Sequence, residues 1–340
     1  MNSLGVIFGL SGPRLTAAES AFFRDADPWA FILFSRNIET PEQVIELTAS
    51  LRECVGRDCL IFVDQEGGRV QRLGPPHWNV YPAGSEFAAI YQQSPRKACR
   101  AAYLNYRLLA ADLRDVGITA NCAPVLDMPL PGADPIISDR AYGVDTAQVV
   151  DIANAVMAGL TASGVAPVIK HIPGHGRATV DSHMELPVIR TDLKTLEKTD
   201  FAPFKALNDA PMAMTAHAVF TAAHAKTPVT IDRGSMHFLV RQSIGFDGLV
   251  MSDDLDMKAL SGDLTTLTQN ALSAGCDIAL QCSGKMPAMV KSAKGANLLS
   301  GTSLRRARIA EYSAENPKDF DRKAAAAELA TLMPPRSALA

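Results

Sequence analysis

The sequence predicts an α/β fold, namely a single (β/α)8 TIM-type barrel with extra helices at its C-terminal end. Eight short apolar runs alternate with longer stretches of helical periodicity, which is typical of repeated βα units around a parallel sheet. Polar side chains follow most of these runs, and parallel α/β folds build their sites at the C-terminal ends of strands. Such a barrel takes about 250 residues, so a chain of 340 residues leaves room for insertions and terminal helices.

The eight apolar runs define the predicted strands of one domain that spans residues 1–340. These strands are Leu4 to Leu10, Phe31 to Phe34, Leu60 to Val63, Ile118 to Val125, Pro167 to Ile169, Met212 to Thr215, Leu249 to Met251 and Asp277 to Leu280. The barrel is therefore expected over about residues 4–285, and C-terminal helices over about residues 286–340.

Capping residues mark several helix starts between the strands. Thr40 precedes Pro41 and Gln43, which supplies an N-cap, a first-turn proline and a capping-box partner. The same kind of start is repeated by Thr16 with Glu19 and by Asp145 with Gln148. These helices are scaffold, whereas the long proline-rich loop from Pro129 to Asp139 is expected to cover a site.

Composition excludes several classes of protein. Hydrophobic residues at 47% and charged residues at 20% describe a soluble globular chain, and no apolar run is long enough to span a bilayer. A net charge of -3 gives no basic footprint for nucleic acid. The six cysteines lack paired spacing, which predicts neither disulfides nor a structural metal site. The cytoplasm is therefore the expected compartment, and the apolar start of the chain, which lacks a basic leader, is expected to be a first strand.

The densest chemistry lies in the segment from Lys170 to His183. It holds three histidines, an aspartate, two cations and two glycines directly after a buried strand. Asp181 stands two residues before His183, close enough to orient the imidazole and stabilise its protonated form. Glycines on either side of His175 favour a sharp bend, and the loop from Gly174 to His183 is predicted to be mobile.

Polar residues at the other strand ends are expected to converge on the same mouth of the barrel. They are Asp64 at the start of the charged run to Arg72, Asp127 and Arg140 after the fourth strand, Lys170 and His171 after the fifth, His217 after the sixth, and Asp253 with Asp254 after the seventh. Neighbouring side chains of a strand point to opposite sides. Only one of Asp253 and Asp254 is therefore expected to face the barrel axis, and Asp253 follows the buried residues directly.

Four motifs in this order resemble the glycoside hydrolase family 3 β-N-acetylglucosaminidases. The motifs are Ile32 to Asn37, Val63 to Arg72, Lys170 to Gly176 with Asp181 to His183, and Met251 to Leu255. The resemblance covers roughly Phe31 to Cys282. It implies a retaining exo-enzyme in which Asp253 attacks the anomeric carbon, His183 is the general acid and base, and Asp181 holds and tunes that histidine.

The resemblance also implies the partners of the enzyme. Its sugar ligands would be Asp64, Arg72, Arg140, Lys170 and His171, and its substrates would be N-acetylglucosamine-containing muropeptides of cell-wall recycling, with or without peptide. No cofactor, metal or nucleic acid is implied, no membrane association is expected, and a monomer is expected. Many relatives carry an acidic residue where this chain has Arg177, which affects the rim or the loop.

Other interpretations remain open at this point. A metal-dependent amidohydrolase on the same barrel would use histidines after strands five and six, but its usual His-x-His near the first strand is replaced by Gly9-Leu10-Ser11-Gly12. The acetamide of the substrate could attack in place of Asp253, with the Asp253-Asp254 pair assisting. Two alternatives remain. One is a catalytically silent sugar-binding barrel, and the other is an enzyme whose acceptor is phosphate instead of water.

Overall fold

The computed structural model describes residues 3–182 and 185–334. Its strands are β1 (Leu4–Gly9), β2 (Pro28–Leu33), β3 (Ile61–Val63), β4 (Ala120–Asn121), β5 (Ala166–Pro167), β6 (Ile169–Ile172), β7 (Val188–Ile189), β8 (Met212–Thr215), β9 (Val219–Phe220), β10 (Leu249–Asp254) and β11 (Ile278–Gln281). All eight predicted strands are present. The short pair formed by β7 and β9 lies outside the main sheet and was not predicted.

The main sheet is a closed parallel barrel. Its strand order is β5-β4-β3-β2-β1-β11-β10-β8-β6, and every pairing in it is parallel. Only Val168 separates β5 from β6, so the two ends of this order are one stretch of chain. The sheet therefore closes into an eight-stranded barrel, and the predicted TIM-type fold is confirmed.

Helices surround the barrel and follow its last strand. They are α1 (Ala17–Ala26), α2 (Pro41–Val55), α3 (Gly84–Tyr91), α4 (Pro95–Asp115), α5 (Thr146–Ala162), α6 (Leu193–Lys198), α7 (Ala202–Ala206), α8 (Arg233–Ser235) with its π-helical continuation Met236–Ile244, α9 (Leu264–Ala274), α10 (Met286–Gly295), α11 (Gly301–Tyr312) and α12 (Arg322–Leu332). Nowhere in the described ranges is a helix both long enough and apolar enough to cross a membrane.

The capping residues largely act as the sequence predicts. Thr16 and Glu19 form a reciprocal capping box at α1, and the Asp145 side chain accepts a hydrogen bond from the Gln148 amide at α5. At α2 the Thr40 cap is present. Its predicted capping box is wrong, because the Gln43 side chain accepts from the Glu39 amide instead of the Thr40 amide.

The core has an inner and an outer part, as alternation along parallel strands requires. One cluster of buried residues includes Ile32, Phe62, Met214, Met251 and Leu280. Their chain neighbours, among them Phe31, Leu33, Ile61, Val63 and Val250, belong to a separate cluster that also contains most of the buried helix residues, whereas Ala307 and Ala310 of α11 belong to the first cluster. The first cluster therefore fills the barrel interior, so the barrel is packed below its mouth.

Candidate active site

A cavity of about 460 Å³ opens at the C-terminal ends of the strands. Six predicted site residues border it together, namely Asp64, Arg72, Arg140, Lys170, His171 and Asp253. Ile32, Met214 and Leu280 of the interior cluster also border it and form an apolar floor. The convergence that the sequence argument expected at this mouth is present for these six residues.

Two strands carry an extra residue at the cavity. Lys170 and His171 were expected to follow the fifth strand, but they lie inside β6. The β6–β8 register shifts between Lys170 and Ile172, and the β10–β11 register shifts between Met251 and Asp254. Such a bulge interrupts side-chain alternation. Consecutive residues of each strand therefore border the cavity, and the expectation that only one of Asp253 and Asp254 faces the axis was wrong.

Asp64 is held by two cations. Lys170 Nζ donates to its Oδ1 at 2.9 Å, and Arg72 Nη2 donates to its Oδ2 at 3.3 Å. Burial raises the pKa of the Asp64 carboxyl, but the charges of Lys170 and Arg72 outweigh it and hold that pKa well below its usual range. Asp64 is therefore an ionised acceptor across the pH range in which proteins work.

Glu66 connects Lys170 to Arg140, and it was not among the site residues predicted from the sequence. Its carboxylate takes two parallel hydrogen bonds of 2.8 Å from Arg140 and lies 2.6 Å from Lys170 Nζ. Burial raises the pKa of Glu66, yet Arg140 and Lys170 lower it to about 2. Its position two residues after Asp64 is the signal that could have found it, because residues two apart in extended backbone share a face.

Asp127 contacts two histidines, namely His171 in β6 and His175 in the loop that follows it. Its buried carboxylate lies 2.6 Å from His171 Nδ1 and accepts a 2.6 Å hydrogen bond from the His175 amide. His175 is itself buried, with only 4% of it exposed, and burial lowers its pKa to about 4. With Nδ1 bound to Asp127, Nε2 is the ring nitrogen of His171 that remains for a substrate.

Asp253 and Asp254 are fixed mainly by backbone groups. The Asp254 amide donates to Asp253 Oδ1 at 2.8 Å, and the Asp253 amide donates to Thr215 Oγ1 at 3.3 Å. Asp254 Oδ1 accepts from the amides of Cys282 and Asp256 at 3.0 and 3.2 Å. Burial raises the pKa of Asp254 to about 6. The two carboxyls are therefore neighbours with different surroundings.

His217 contacts the C-terminal end of β10 through a backbone carbonyl. Its Nε2 lies 3.0 Å from the carbonyl oxygen of Asp254, and its Nδ1 lies 2.8 Å from Thr230 Oγ1. A carbonyl can only accept, so Nε2 carries a proton. His217 is completely buried. These contacts agree with the supporting role given to it from the sequence.

The acid/base pair is only partly described. His183 lies outside the described residues, so its predicted role stays a prediction. Asp181 is partly exposed, and its carbonyl oxygen accepts a hydrogen bond of 2.9 Å from the Glu185 amide. The next residue, Ser182, accepts at its carbonyl from the Ala259 amide at 3.2 Å. This contact ties the loop after β6 to the segment that follows β10.

Comparison with known proteins places the chain in a family. The model of the glycosyl hydrolase family 3 N-terminal domain matches residues 15–311. A "Beta-hexosaminidase" of Bordetella avium is 36% identical over 281 residues, which is 82% of this chain and 80% of that protein. One of Thiobacillus denitrificans is 38% identical, over 74% of this chain and 70% of its own length.

Solved structures give the same result. The crystal structure of native NagZ from Neisseria gonorrhoeae is 30% identical, covers 98% of this chain and 99% of its own, and superimposes with a TM-score of 0.87. A family 3 β-N-acetylglucosaminidase from Paenibacillus is 26% identical over 96% of this chain and 66% of its own, with a TM-score of 0.86. The resemblance found in the sequence is confirmed: the chain belongs to glycosyl hydrolase family 3 and is a glycoside hydrolase.

Proposed function

We propose that this glycoside hydrolase is a retaining exo-β-N-acetylglucosaminidase with Asp253 as its nucleophile. The observation that carries the proposal is the cavity in which the Asp253 carboxyl lies together with the Asp64–Lys170–Glu66–Arg140 network. A hydroxyl-rich ring needs acceptors and donors in fixed positions. This network supplies both from side chains that are already held by one another.

Each side chain of the network has a role that its contacts support. The Asp64 carboxylate, kept ionised by Lys170 and Arg72, accepts hydrogen bonds from sugar hydroxyls. The cations and the free nitrogen of His171 donate to hydroxyl or acetamide oxygens. Because their positions are fixed before the substrate arrives, little conformational entropy is lost on binding.

The chemistry proceeds in two steps. Asp253 attacks the anomeric carbon and forms a glycosyl ester, while the bond to the leaving oxygen breaks and His183, oriented by Asp181, gives that oxygen its proton. His183 then takes a proton from water, and the water oxygen displaces Asp253 with a second inversion. Two inversions give net retention. The amide of Asp254, which donates to Asp253, fixes the direction of attack.

The names of related proteins support a proposal for the biological role of the enzyme. Proteins 35 to 38% identical to this chain are named "Beta-hexosaminidase", and a structural relative is named NagZ. We infer that the substrates are muropeptides with a terminal β-linked N-acetylglucosamine, cleaved in the cytoplasm during cell-wall recycling by one 340-residue domain that acts as a monomer without a cofactor.

The first test is release of nitrophenol from 4-nitrophenyl N-acetyl-β-glucosaminide in the presence of a metal chelator. Native enzyme should turn over, and Asp253→Ala should lose activity by roughly 10⁴-fold, because no group replaces the nucleophile. Arg100→Gln is the matched control, since Arg100 forms an exposed pair with Glu328. A folded native enzyme that releases no nitrophenol, or releases it only without chelator, would contradict this substrate class or the metal-free mechanism.

The second test separates Asp253 from an attack by the substrate's acetamide. A 5-fluoro N-acetylglucosaminyl donor should accumulate as a covalent adduct, and peptide mass spectrometry should locate the added sugar on Asp253. An enzyme that turns this donor over without any protein adduct would contradict the covalent step. Product analysis in phosphate and in an uncharged buffer would show which acceptor the enzyme uses.

A further inference from the structure

Arg177 joins the loop after β6 to the junction between α6 and α7. Its Nε donates to Asp200 Oδ2 at 2.6 Å, and its Nη2 donates to Thr199 Oγ1 at 2.9 Å. Thr199 Oγ1 lies 2.7 Å from the same Asp200 oxygen, which closes a small network. The Arg177 side chain is 17% exposed and that of Asp200 is 4% exposed. A pair so shielded from water and salt interacts more strongly than a surface pair.

The backbone around Arg177 is fixed as well. The Gly176 carbonyl accepts from the Leu130 amide at 3.2 Å, and the Ala178 carbonyl accepts from the Asp134 amide at 2.8 Å. A Cβ on Gly176 would lie 2.1 Å from the Met128 carbonyl oxygen, so the loop touches the neighbouring backbone there. The chain beside Arg177 is therefore held by the segment after β4 on one side and by Asp200 on the other.

Asp181 follows this anchored stretch after a short connection. Thr179 is exposed and Val180 is partly exposed, and the chain is held again where Ser182 accepts from the Ala259 amide at 3.2 Å. The four residues from Ala178 to Asp181 are three Cα–Cα steps, which span at most about 11 Å when fully extended. A displacement of the Arg177 anchor would therefore be transmitted to the position of Asp181.

We propose that Arg177 is a positioning residue for proton transfer to the leaving group, that it acts through Asp181, and that Asp200 is its fixed partner. This inference rests on the proposed function, in which Asp181 orients the acid/base His183. Its side chain donates to Asp200 and Thr199, and Arg177 is not among the described residues that border the cavity. Its loss should therefore impair acid assistance and leave sugar binding and nucleophilic attack intact.

The experiment compares two donors that differ in their need for acid assistance. A phenyl N-acetyl-β-glucosaminide requires protonation of its leaving oxygen, whereas the 2,4-dinitrophenyl glycoside does not. Arg177→Gln should lower kcat/KM for the phenyl donor by about 10- to 100-fold, and by less than about 3-fold for the dinitrophenyl donor, which is the selectivity expected of a lost proton-transfer geometry. Arg177→Lys keeps a cation facing Asp200 and should recover part of the loss.

Controls make the inference falsifiable. Arg100→Gln, which breaks an exposed arginine pair away from the loop, should change neither donor. Equal losses on both donors in Arg177→Gln, no loss on the phenyl donor in a folded Arg177→Gln variant, or an Arg177→Lys variant no better than Arg177→Gln would overturn the role of Arg177. His183→Ala tests the proposed function separately. If His183→Ala shows a donor-dependent loss and Arg177→Gln does not, only the role of Arg177 is refuted. If His183→Ala shows no donor-dependent loss, the acid/base assignment of His183 is refuted.

Discussion

Two pairs of carboxyls lie at the same cavity and are held in opposite ways. Asp64 and Glu66 are bound by the cations Lys170, Arg72 and Arg140, and the pKa of Glu66 falls to about 2. Asp254, half-buried beside Asp253, accepts hydrogen bonds from backbone amides, and burial raises its pKa to about 6.

The difference shows that burial alone does not set the charge of a site. Desolvation raises the pKa of Asp64, Glu66 and Asp254 alike, and only for Asp64 and Glu66 do nearby cations outweigh it. Under the proposed function, the Asp64 side binds neutral sugar hydroxyls, for which permanently ionised carboxylates are good acceptors. Under the same proposal, Asp253 forms and breaks a bond to carbon beside a carboxyl whose pKa is raised instead of lowered.

Among variants that keep the nucleophile, the largest expected effect comes from breaking the cation-rich side. Glu66→Gln leaves Lys170 and Arg140 buried with one carboxylate fewer, so kcat/KM should fall by about 10²- to 10³-fold and the free energy of unfolding by about 3 kcal/mol. Steady-state kinetics and urea denaturation measure the two quantities. An active, fully stable Glu66→Gln enzyme would mean that the network does not hold the sugar ligands in place.

An intermediate effect is expected from Asp254, and it depends on pH. Its folded pKa of about 6 exceeds its ordinary 3.8, so the native state keeps this proton after the unfolded state has lost it. Its contribution to stability is full below pH 3.8, declines as pH rises through about 6, and is lost above that value.

Asp254→Asn should therefore gain stability relative to native enzyme as the pH rises. The free energy of unfolding of the variant minus that of native enzyme should be about 1–3 kcal/mol larger at pH 8 than at pH 4. Thermal or urea unfolding at both pH values checks this difference. Parallel pH profiles for native and variant enzyme would show that Asp254 titrates in the native state as it does in the unfolded chain.

The smallest effect is expected from an ion pair at the rim of the same cavity. Arg69 and Asp139 lie 2.7 Å apart, but their side chains are 43% and 36% exposed. Solvent screening limits such a pair to less than about 1 kcal/mol, so Asp139→Asn should leave unfolding almost unchanged and kcat/KM within about 3-fold. A loss as large as that expected for Glu66→Gln would show that the exposed Arg69–Asp139 pair matters as much as the buried network.

The sequence was sufficient for the barrel and for most of the cavity. Polar residues directly after apolar runs led to Asp64, Lys170, His171 and Asp253, because the direction of the strands places their ends at one mouth. It was not sufficient for Glu66, since a charged run with glycines reads equally as a solvated turn until burial is known. Nor could alternation reveal the bulges in β6 and β10, which depend on pairing with β8 and β11.

The apolar floor formed by Ile32, Met214 and Leu280 has a kinetic consequence. A barrel packed beneath its mouth has no rear exit, so a released sugar must leave through the opening by which the next substrate enters. The product therefore occupies the entry route until it dissociates. Free N-acetylglucosamine should accordingly compete with the substrate, and turnover should slow as product accumulates even while uncleaved glycoside remains abundant.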